Sequence, residues 1–258
     1  LPTFIKLFKQ AINNNLKLFQ PASVKKEDAI EHFRKLNPVL IVVVAYGKIL
    51  PKDLLNIPPL GSVNVHASLL PKYRGAAPIN WAIVNGEKET GVTTQKISEE
   101  LDSGDILLSA KTPIGERETA IELYERLAAM GAKLLIETVE KIEHEKLKST
   151  PQDHSRATYA PIIKKEDGRI DWLLSAPAIF NRIRGFYPWP GTFTTLDGKQ
   201  LKIYSANVID RNVDAKCGEI IEAGEKFVIA CGDGALELLE VQLEGKRKMN
   251  AKDFLRGH

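Results

Sequence analysis

An apolar run of seven residues, VLIVVVA at positions 39–45, restricts the fold of this chain more than any other feature. Its residues are aliphatic throughout, mostly β-branched, and they do not alternate with polar residues. Such a run is typical of a strand that is covered on both faces in a parallel sheet. A helical pattern precedes it at residues 27–36 and ends near Asn37 and Pro38. Strands that alternate with helices in this way predict an α/β fold.

The length of the chain, 258 residues, favours two domains over one. Its longest apolar run is strand-sized and far shorter than the ~20 residues of a membrane-spanning helix. A net charge of +3 does not by itself indicate nucleic acid, and two cysteines are too few for a disulfide framework. We therefore expect a protein of a reducing cytosol, without a membrane segment or a signal peptide. Because the chain starts at Leu1 with helix-patterned sequence, we expect a fragment.

The first part of the chain, residues 1–147, mixes helix and strand patterns. Apolar spacing predicts further helices at residues 3–13, 78–84 and 118–145. Runs rich in β-branched or aromatic residues predict strands at residues 18–19, 63–66, 91–97 and 106–110. Residues 148–163 are polar, contain two prolines and lack periodicity, which predicts a linker.

The second part, residues 164–258, has a β-rich pattern with a single helix at residues 176–184. Gly-rich turns separate short predicted strands at residues 191–195, 200–208, 218–223, 226–231 and 235–241. This pattern predicts a small closed or partly closed β-barrel.

Two polar side chains, Asn64 and His66, lie two positions apart at the end of a predicted strand. Residues at this spacing face the same side of a strand, and ligands of open α/β sheets bind beyond the carboxyl ends of strands. An amide N–H beside an imidazole suits a negative oxygen that forms at a carbonyl carbon. The alternative is that both side chains only satisfy loop backbone, and the residues alone leave the two interpretations about evenly balanced.

An acidic turn follows the predicted strand 91–97 and includes Asp102 and Asp105. A carboxylate at the end of this strand would reach His66, orient its ring and support its positive form. The alternative is a solvated acidic turn, and spacing does not choose between the two aspartates.

Basic residues near these motifs indicate a role in holding anions. Lys72 and Arg74 lie next to the candidate site, where they would receive a phosphate or an anionic tail. Arg182 and Arg184, together with Lys246, Arg247 and Lys248, would form a cationic face for phosphates. The alternative is solvated loops, because residues 164–258 are close to neutral overall. The five scattered histidines and the absence of any CxxC or HExxH pattern predict no metal site.

Together, these motifs resemble the formyltetrahydrofolate-dependent formyltransferase family. The resemblance rests on NVHASLLP at residues 64–71, RGAAPI at residues 74–79 and DSG at residues 102–104. Four further stretches are similar to members that act on methionyl-tRNA: VVAYGKILP at 43–51, RIDW at 169–172, IRGFYPWP at 183–190 and GDG at 232–234. The resemblance implies a Rossmann-like formyltransferase domain, whose first strands lie upstream of Leu1, followed by a small OB-like β-barrel domain that binds tRNA.

The resemblance also implies a reaction, in which the formyl group of 10-formyltetrahydrofolate passes to the amino group of initiator methionyl-tRNA for translation initiation. Its catalytic residues would be Asn64, His66 and Asp102. Its folate-binding residues would be Ser68, Leu69, Leu70, Pro71, Tyr46 and Gly47. Its tRNA-binding residues would be Arg74, Arg182, Arg184, Lys246, Arg247 and Lys248. We expect no metal, a monomer and a cytoplasmic location, either bacterial or in an organellar matrix.

Two alternatives stay open at this point. One is a related enzyme on the same scaffold, either a formyltetrahydrofolate hydrolase or a sugar-amine formyltransferase. The other is a fragment without catalytic activity that binds folate or RNA, since the resemblance implies that family segments are missing at both ends of the chain.

Overall fold

The computed structural model of the protein describes residues 9–210 and 214–257. The chain divides into two compact units, one of Leu1–Ile41 with Lys48–Ser62 and one of Val42–Gly47 with Val63–His258. The helix predicted at residues 3–13 is present as α1 over residues 9–13, and residues 3–8 lie outside the described residues. The strand predicted at residues 18–19 is wrong: Phe19 instead stacks on the ring of His32, with ring centroids 3.9 Å apart.

Two further helices belong to the first unit: α2 at Glu27–Leu36 and α3 at Lys52–Leu55. Helix α2 ends where the sequence predicts, because Asn37 adopts a left-handed conformation and its backbone N–H bonds to the carbonyl of Arg34. Two acidic residues in its first turn and two basic residues in its last turn complement the helix dipole.

A four-stranded sheet with strand order β1-β2-β4-β5 forms the framework of the α/β part. Its strands are β1 Ile41–Val44, β2 Ser62–His66, β4 Glu89–Lys96 and β5 Ile106–Pro113. Strand β4 is antiparallel to both β2 and β5, so the sheet is not purely parallel. The prediction that residues 39–45 are covered on both faces is wrong for the described residues, because β1 is an edge strand. Val42 is 41% exposed and Val44 is 50% exposed.

Two helices cover this sheet: α4 at Pro78–Val84 and the long α5 at Ala120–Glu143. A capping box of Thr119 and Glu122 starts α5 and satisfies free backbone N–H groups. Its apolar stripe includes Leu123, which is fully buried, and Leu127 in the same core. Packing of this stripe fixes β2 and β4, whose ends bear the candidate site residues.

The segment of residues 148–163, predicted as a linker, contains regular structure. Thr150 bridges Ile106 through a pair of backbone hydrogen bonds. A 3₁₀ helix follows at His154–Arg156, and the short strand β6 at Tyr159–Ala160 runs parallel to β3 at Arg74–Gly75. The segment therefore contacts the loop that follows the end of β2.

The remaining part of the chain is mostly β, as predicted. A 3₁₀ helix at Lys165–Gly168 precedes its first α-helix, α6 at Ala176–Gly185, and the short helix α7 at Ala251–Leu255 is its last. Between them is an antiparallel sheet with strand order β7-β8-β11-β10-β9, to which β12 adds by pairing with β11. Its strands are β7 Thr192–Leu196, β8 Lys199–Ile209, β9 Ile220–Ala223, β10 Phe227–Ala230, β11 Ala235–Leu243 and β12 Met249–Asn250.

Helix α6 packs against the α/β part of the same compact unit. Asn80 in α4 donates a hydrogen bond to the carbonyl of Gly185 at 2.7 Å. Arg184 donates to the carbonyls of Gly115 and Glu118 at 3.0 and 3.1 Å. No helix within residues 9–210 and 214–257 combines the length and the apolar character that a bilayer crossing requires.

Candidate active site

The C-terminal end of β2 brings Asn64 and His66 to one carboxylate. Asn64 is half-buried, whereas His66 is 6% exposed. The side-chain amide of Asn64 donates to Oδ1 of Asp102 at 3.4 Å, and Nδ1 of His66 lies 3.7 Å from Oδ2 of the same residue. Both side chains therefore point to one side of the strand, as their spacing predicts.

Asp102 lies in the turn between β4 and β5, and neutral donors hold its carboxylate in place. The backbone N–H of Gly75 donates to Oδ2 at 2.8 Å, and the side-chain amide of Gln95 donates to Oδ1 at 3.1 Å. The carboxylate thus faces His66 from a fixed position, in the arrangement that orients a catalytic imidazole.

The structure distinguishes the surroundings of Asp102 from those of Asp105, which the spacing of the two residues in the sequence did not do. Oδ2 of Asp105 accepts a hydrogen bond from the hydroxyl of Ser149 at 2.9 Å, whereas Asp102 meets His66. Gly104 allows the turn between them to close tightly, because a Cβ at this position would lie 1.9 Å from the carbonyl oxygen of Lys96. A side chain there would displace the turn that presents Asp102.

The imidazole of His66 is held by one backbone acceptor and lies near one carboxylate. Its Nε2 lies 2.8 Å from the carbonyl oxygen of Tyr73, so Nε2 bears a hydrogen. Its Nδ1 faces Asp102, and neither nitrogen is directed at an empty position. For His66 to donate to a substrate oxygen, Nε2 has to leave the carbonyl of Tyr73. Asn64 needs no such change, because its only side-chain hydrogen bond among the described residues uses one of its two N–H groups.

The phenol of Tyr73 anchors the loop that provides this carbonyl. Its hydroxyl donates to Glu87 at 2.9 Å and accepts from the amide of Asn85 at 3.3 Å. Burial raises the pKa of Tyr73 to about 12, so the phenol stays neutral and keeps donating at ordinary pH.

Ser68, Leu69, Leu70 and Pro71 form a turn with its own hydrogen bonds. The hydroxyl of the fully buried Ser68 donates to the carbonyl of Lys72 at 2.6 Å. Thr93 of β4 donates to the carbonyl of Ser68 at 2.7 Å and accepts from the backbone N–H of Leu70 at 3.2 Å. The turn directly follows His66, but the hydroxyl of Ser68 donates its hydrogen bond within the protein.

Tyr46 and Gly47 lie just after β1 and are both exposed, Tyr46 at 40%. Among the described residues, no hydrogen bond joins either of them to Asn64, His66 or Asp102. Gly47 has a φ of +71°, a backbone conformation that favours glycine.

Two of the arginines predicted to bind tRNA are buried and bonded within the protein. Arg74 is 3% exposed and donates twice to the side-chain oxygen of Gln152, at 3.1 and 2.7 Å. Arg184 is 7% exposed, and burial lowers the pKa of its guanidinium from the ordinary value. Both side chains use their donors to join elements of the protein, so neither forms part of an exposed cationic face. This corrects the prediction for Arg74 and Arg184.

The other predicted tRNA-binding residues are more accessible. Lys246, Arg247 and Lys248 are exposed, and Lys248 pairs with Glu240 at 2.8 Å. Arg182 is half-buried, and its guanidinium lies over the ring of Phe186.

Sequence reasoning missed three groups that surround Asp102: the backbone N–H of Gly75 and the side chains of Gln95 and Gln152. Gln95 lies directly opposite Asn64 in the β2–β4 register, so knowledge of the strand pairing would have identified it. Gln152 lies in the segment predicted as a linker, where nothing in the sequence pattern indicated it. In the part of the chain that the structure describes, no group of three or more His, Cys, Asp or Glu side chains is arranged to hold a metal ion.

Comparison with known proteins finds two family models that match most of the chain. The model described as formyl transferase matches residues 4–139, and the model described as formyl transferase, C-terminal domain, matches residues 162–258. A methionyl-tRNA formyltransferase of Caldanaerobacter subterraneus subsp. tengcongensis is 48% identical over 257 residues, which are 99% of this chain and 83% of that protein. One of Citrifermentans bemidjiense is 47% identical over 259 residues, covering 100% of this chain and 80% of that protein.

Two solved structures show the same fold at lower identity. An N-formyltransferase from Helicobacter canadensis, in complex with folinic acid and dTDP-3-aminofucose, has a TM-score of 0.71 at 22% identity and covers 94% of this chain and 82% of that chain. HypX from Aquifex aeolicus, in complex with tetrahydrofolic acid, has a TM-score of 0.64 at 22% identity and covers 88% of this chain and 40% of that chain.

Proposed function

Because this chain belongs to the formyl transferase family, with methionyl-tRNA formyltransferases as relatives over nearly its whole length, we propose that it formylates methionyl-tRNA. The formyl donor is 10-formyltetrahydrofolate, and the product is the formylmethionyl-tRNA that starts translation. The observation that supports this reaction best is the meeting of Asn64 and His66 at the carboxylate of Asp102.

The amino group of methionyl-tRNA attacks the formyl carbon and forms a tetrahedral intermediate with a negative oxygen. Asn64 stabilises this oxygen through the N–H that is not directed at Asp102. The second donor is His66, after Nε2 exchanges the carbonyl of Tyr73 for the substrate oxygen. The C–N bond to the folate then breaks, and the carbonyl re-forms on the new amide.

One proton moves in this reaction, from the attacking amine to the departing folate nitrogen. Asp102 accepts or relays it, directly or through water, while it holds His66 in place. The donors from Gly75 and Gln95 keep the carboxylate at a fixed position while it does so.

The two substrates occupy neighbouring regions. The folate contacts the turn of Ser68, Leu69, Leu70 and Pro71, with Tyr46 and Gly47 near its pterin. Support for a folate comes from the similar fold of HypX, which was crystallised with tetrahydrofolic acid. The tRNA lies against Arg182 and the exposed Lys246, Arg247 and Lys248, whose phosphate contacts position it without selecting a sequence.

A panel of formyl acceptors tests the proposal. The protein is incubated with 10-formyltetrahydrofolate and either methionyl-tRNA, a nucleotide-linked amino sugar or water alone, and formyl transfer and folate release are measured. We expect transfer to methionyl-tRNA only. Preferential transfer to the sugar amine, or folate release with water alone, would replace the proposal by a related activity. Binding of folate or tRNA without transfer to any acceptor would identify a protein without catalytic activity.

A further inference from the structure

Gln152 is a buried side chain that the mechanism above does not use. It is 5% exposed and lies between the two stretches that the family models match, residues 4–139 and 162–258. A buried side-chain amide is costly unless its donors and acceptor are all paired, so the partners of Gln152 are informative.

The amide nitrogen of Gln152 bonds to the turn that presents Asp102. It donates to the backbone carbonyl of Asp102 at 2.9 Å and to that of Gly104 at 2.7 Å. The same nitrogen lies 3.2 Å from the side-chain oxygen of Gln95, whose own amide nitrogen donates to the carboxylate of Asp102. One amide therefore contacts the backbone of Asp102 and a side chain that holds its carboxylate.

The orientation of this amide is determined by Arg74. Two donors of the buried guanidinium, Nε and Nη2, bond to the Gln152 oxygen. Because a guanidinium only donates, the oxygen must face Arg74 and the nitrogen must face the turn. Arg74 directly precedes Gly75, whose backbone N–H bonds to the carboxylate of Asp102. The same group of residues thus reaches Asp102 from two sides.

The turn needs such support because its backbone is strained. Asp102 has a φ of +49°, a region that residues other than glycine seldom adopt. Residues in such conformations persist when the surrounding structure holds them there. Gln152 supplies that restraint at both Asp102 and Gly104.

We propose that Gln152 is a positioning residue for formyl transfer, which holds the carboxylate of Asp102 at the distance that His66 and the incoming amine require. This inference rests on the proposed role of Asp102. It means that Gln152, in the segment between the two stretches that the family models match, affects the rate of formyl transfer.

The central variant is Gln152→Glu, which keeps the size of the side chain and the oxygen that faces Arg74. It replaces the donor nitrogen by an oxygen that faces two carbonyl oxygens. We expect kcat to fall on the order of 10²-fold, because small displacements of a catalytic group have effects of this size. KM for 10-formyltetrahydrofolate is expected to stay the same. Gln152→Met removes both the donors and the oxygen that Arg74 binds, without adding charge, and is expected to change kcat in the same direction.

A double substitution separates positioning from general loss of structure. If Gln152 acts through Asp102, Gln152→Glu lowers kcat by less than about threefold when Asp102→Asn is already present. Gly185→Ala serves as a control, since it is expected to destabilise the protein at a distant helix contact while kcat stays within about tenfold of wild type.

Several results would overturn the inference. One is a wild-type kcat in both Gln152 variants, and another is that circular dichroism shows neither variant to be folded. A third is a double variant, Gln152→Glu with Asp102→Asn, whose loss of kcat equals the product of the losses in the two single variants. An active Asp102→Asn enzyme would overturn the assigned role of Asp102 as well. A loss at Asp102 without a loss at Gln152 would overturn this inference and leave the proposed function intact.

Discussion

At the scale of single residues, Asn64 has the geometry that already suits a donor in the proposed reaction. It holds Asp102 with one N–H and keeps the other available, whereas both ring nitrogens of His66 are directed at protein acceptors. The two residues therefore contribute differently, although the sequence presents them as a pair. In the proposed mechanism, Asn64 is a preorganised donor, and His66 becomes one by a change of partner.

We expect Asn64→Ala to lower kcat by about 10²–10³, because it removes one donor to the negative oxygen. Folate affinity should change little, since this donor acts mainly in the transition state. Steady-state kinetics with varied 10-formyltetrahydrofolate measures both quantities. A kcat within tenfold of wild type would contradict the oxyanion role.

The two aspartates of the β4–β5 turn provide a matched comparison. Asp102→Asn should lower kcat by on the order of 10²–10⁴, the usual contribution of general acid–base catalysis. Asp105→Asn should leave kcat within about tenfold, because the Asp105 side chain bonds to Ser149 and not to His66 among the described residues, and an amide oxygen can also accept from that hydroxyl. Single-turnover formylation of methionyl-tRNA measures both variants, and equal effects would show that the acid is misassigned.

At the scale of elements, the contact between α4 and α6 depends on the absence of a side chain at Gly185. A Cβ there would lie 2.7 Å from Cγ2 of Val84 and 3.2 Å from the carbonyl oxygen of Asn80. Valine is rigid about χ1, so the contact has little freedom to adjust. This close approach lets the amide of Asn80 reach the carbonyl of Gly185.

We expect Gly185→Ala to lower the free energy of unfolding. Overpacking typically costs about 1–3 kcal/mol, which exceeds the ~1 kcal/mol that alanine gains over glycine in a helix. Urea unfolding gives the difference. Gly224→Ala is the control, because no atom lies within 4 Å of a Cβ built there. Its unfolding free energy should stay within about 0.5 kcal/mol of wild type. Equal effects of the two substitutions would argue against the packing explanation.

At the scale of the whole molecule, Arg184 joins the β-rich part to the α/β part of the larger compact unit. It bonds to Asn181 of its own helix and to the carbonyls of Gly115 and Glu118 just before α5. Its buried guanidinium therefore has a structural role, which explains why it is not free for a phosphate.

We expect Arg184→Ala to destabilise the protein by about 1–3 kcal/mol, because it removes a buried guanidinium together with the hydrogen bonds that it donates to the carbonyls of Gly115 and Glu118. Arg256→Ala is the control: this arginine pairs with Asp253 on the surface, and its side chain is 69% exposed. That substitution should cost less than about 1 kcal/mol. Chemical denaturation of the two variants measures the difference. A similar cost at both positions would show that the contact of Arg184 contributes little.

The sequence by itself determined the α/β-then-β order, the strand that bears Asn64 and His66, and the family. Periodicity and local motifs are short-range properties, so they can be recognised without a fold. Only the tertiary structure decided that Asp102, not Asp105, meets His66, and that residues 148–163 support the site. It also showed that Arg74 and Arg184 are internal supports. Each of these depends on contacts between residues far apart in the chain, such as Gln152 with Asp102, and such contacts leave no pattern in local sequence.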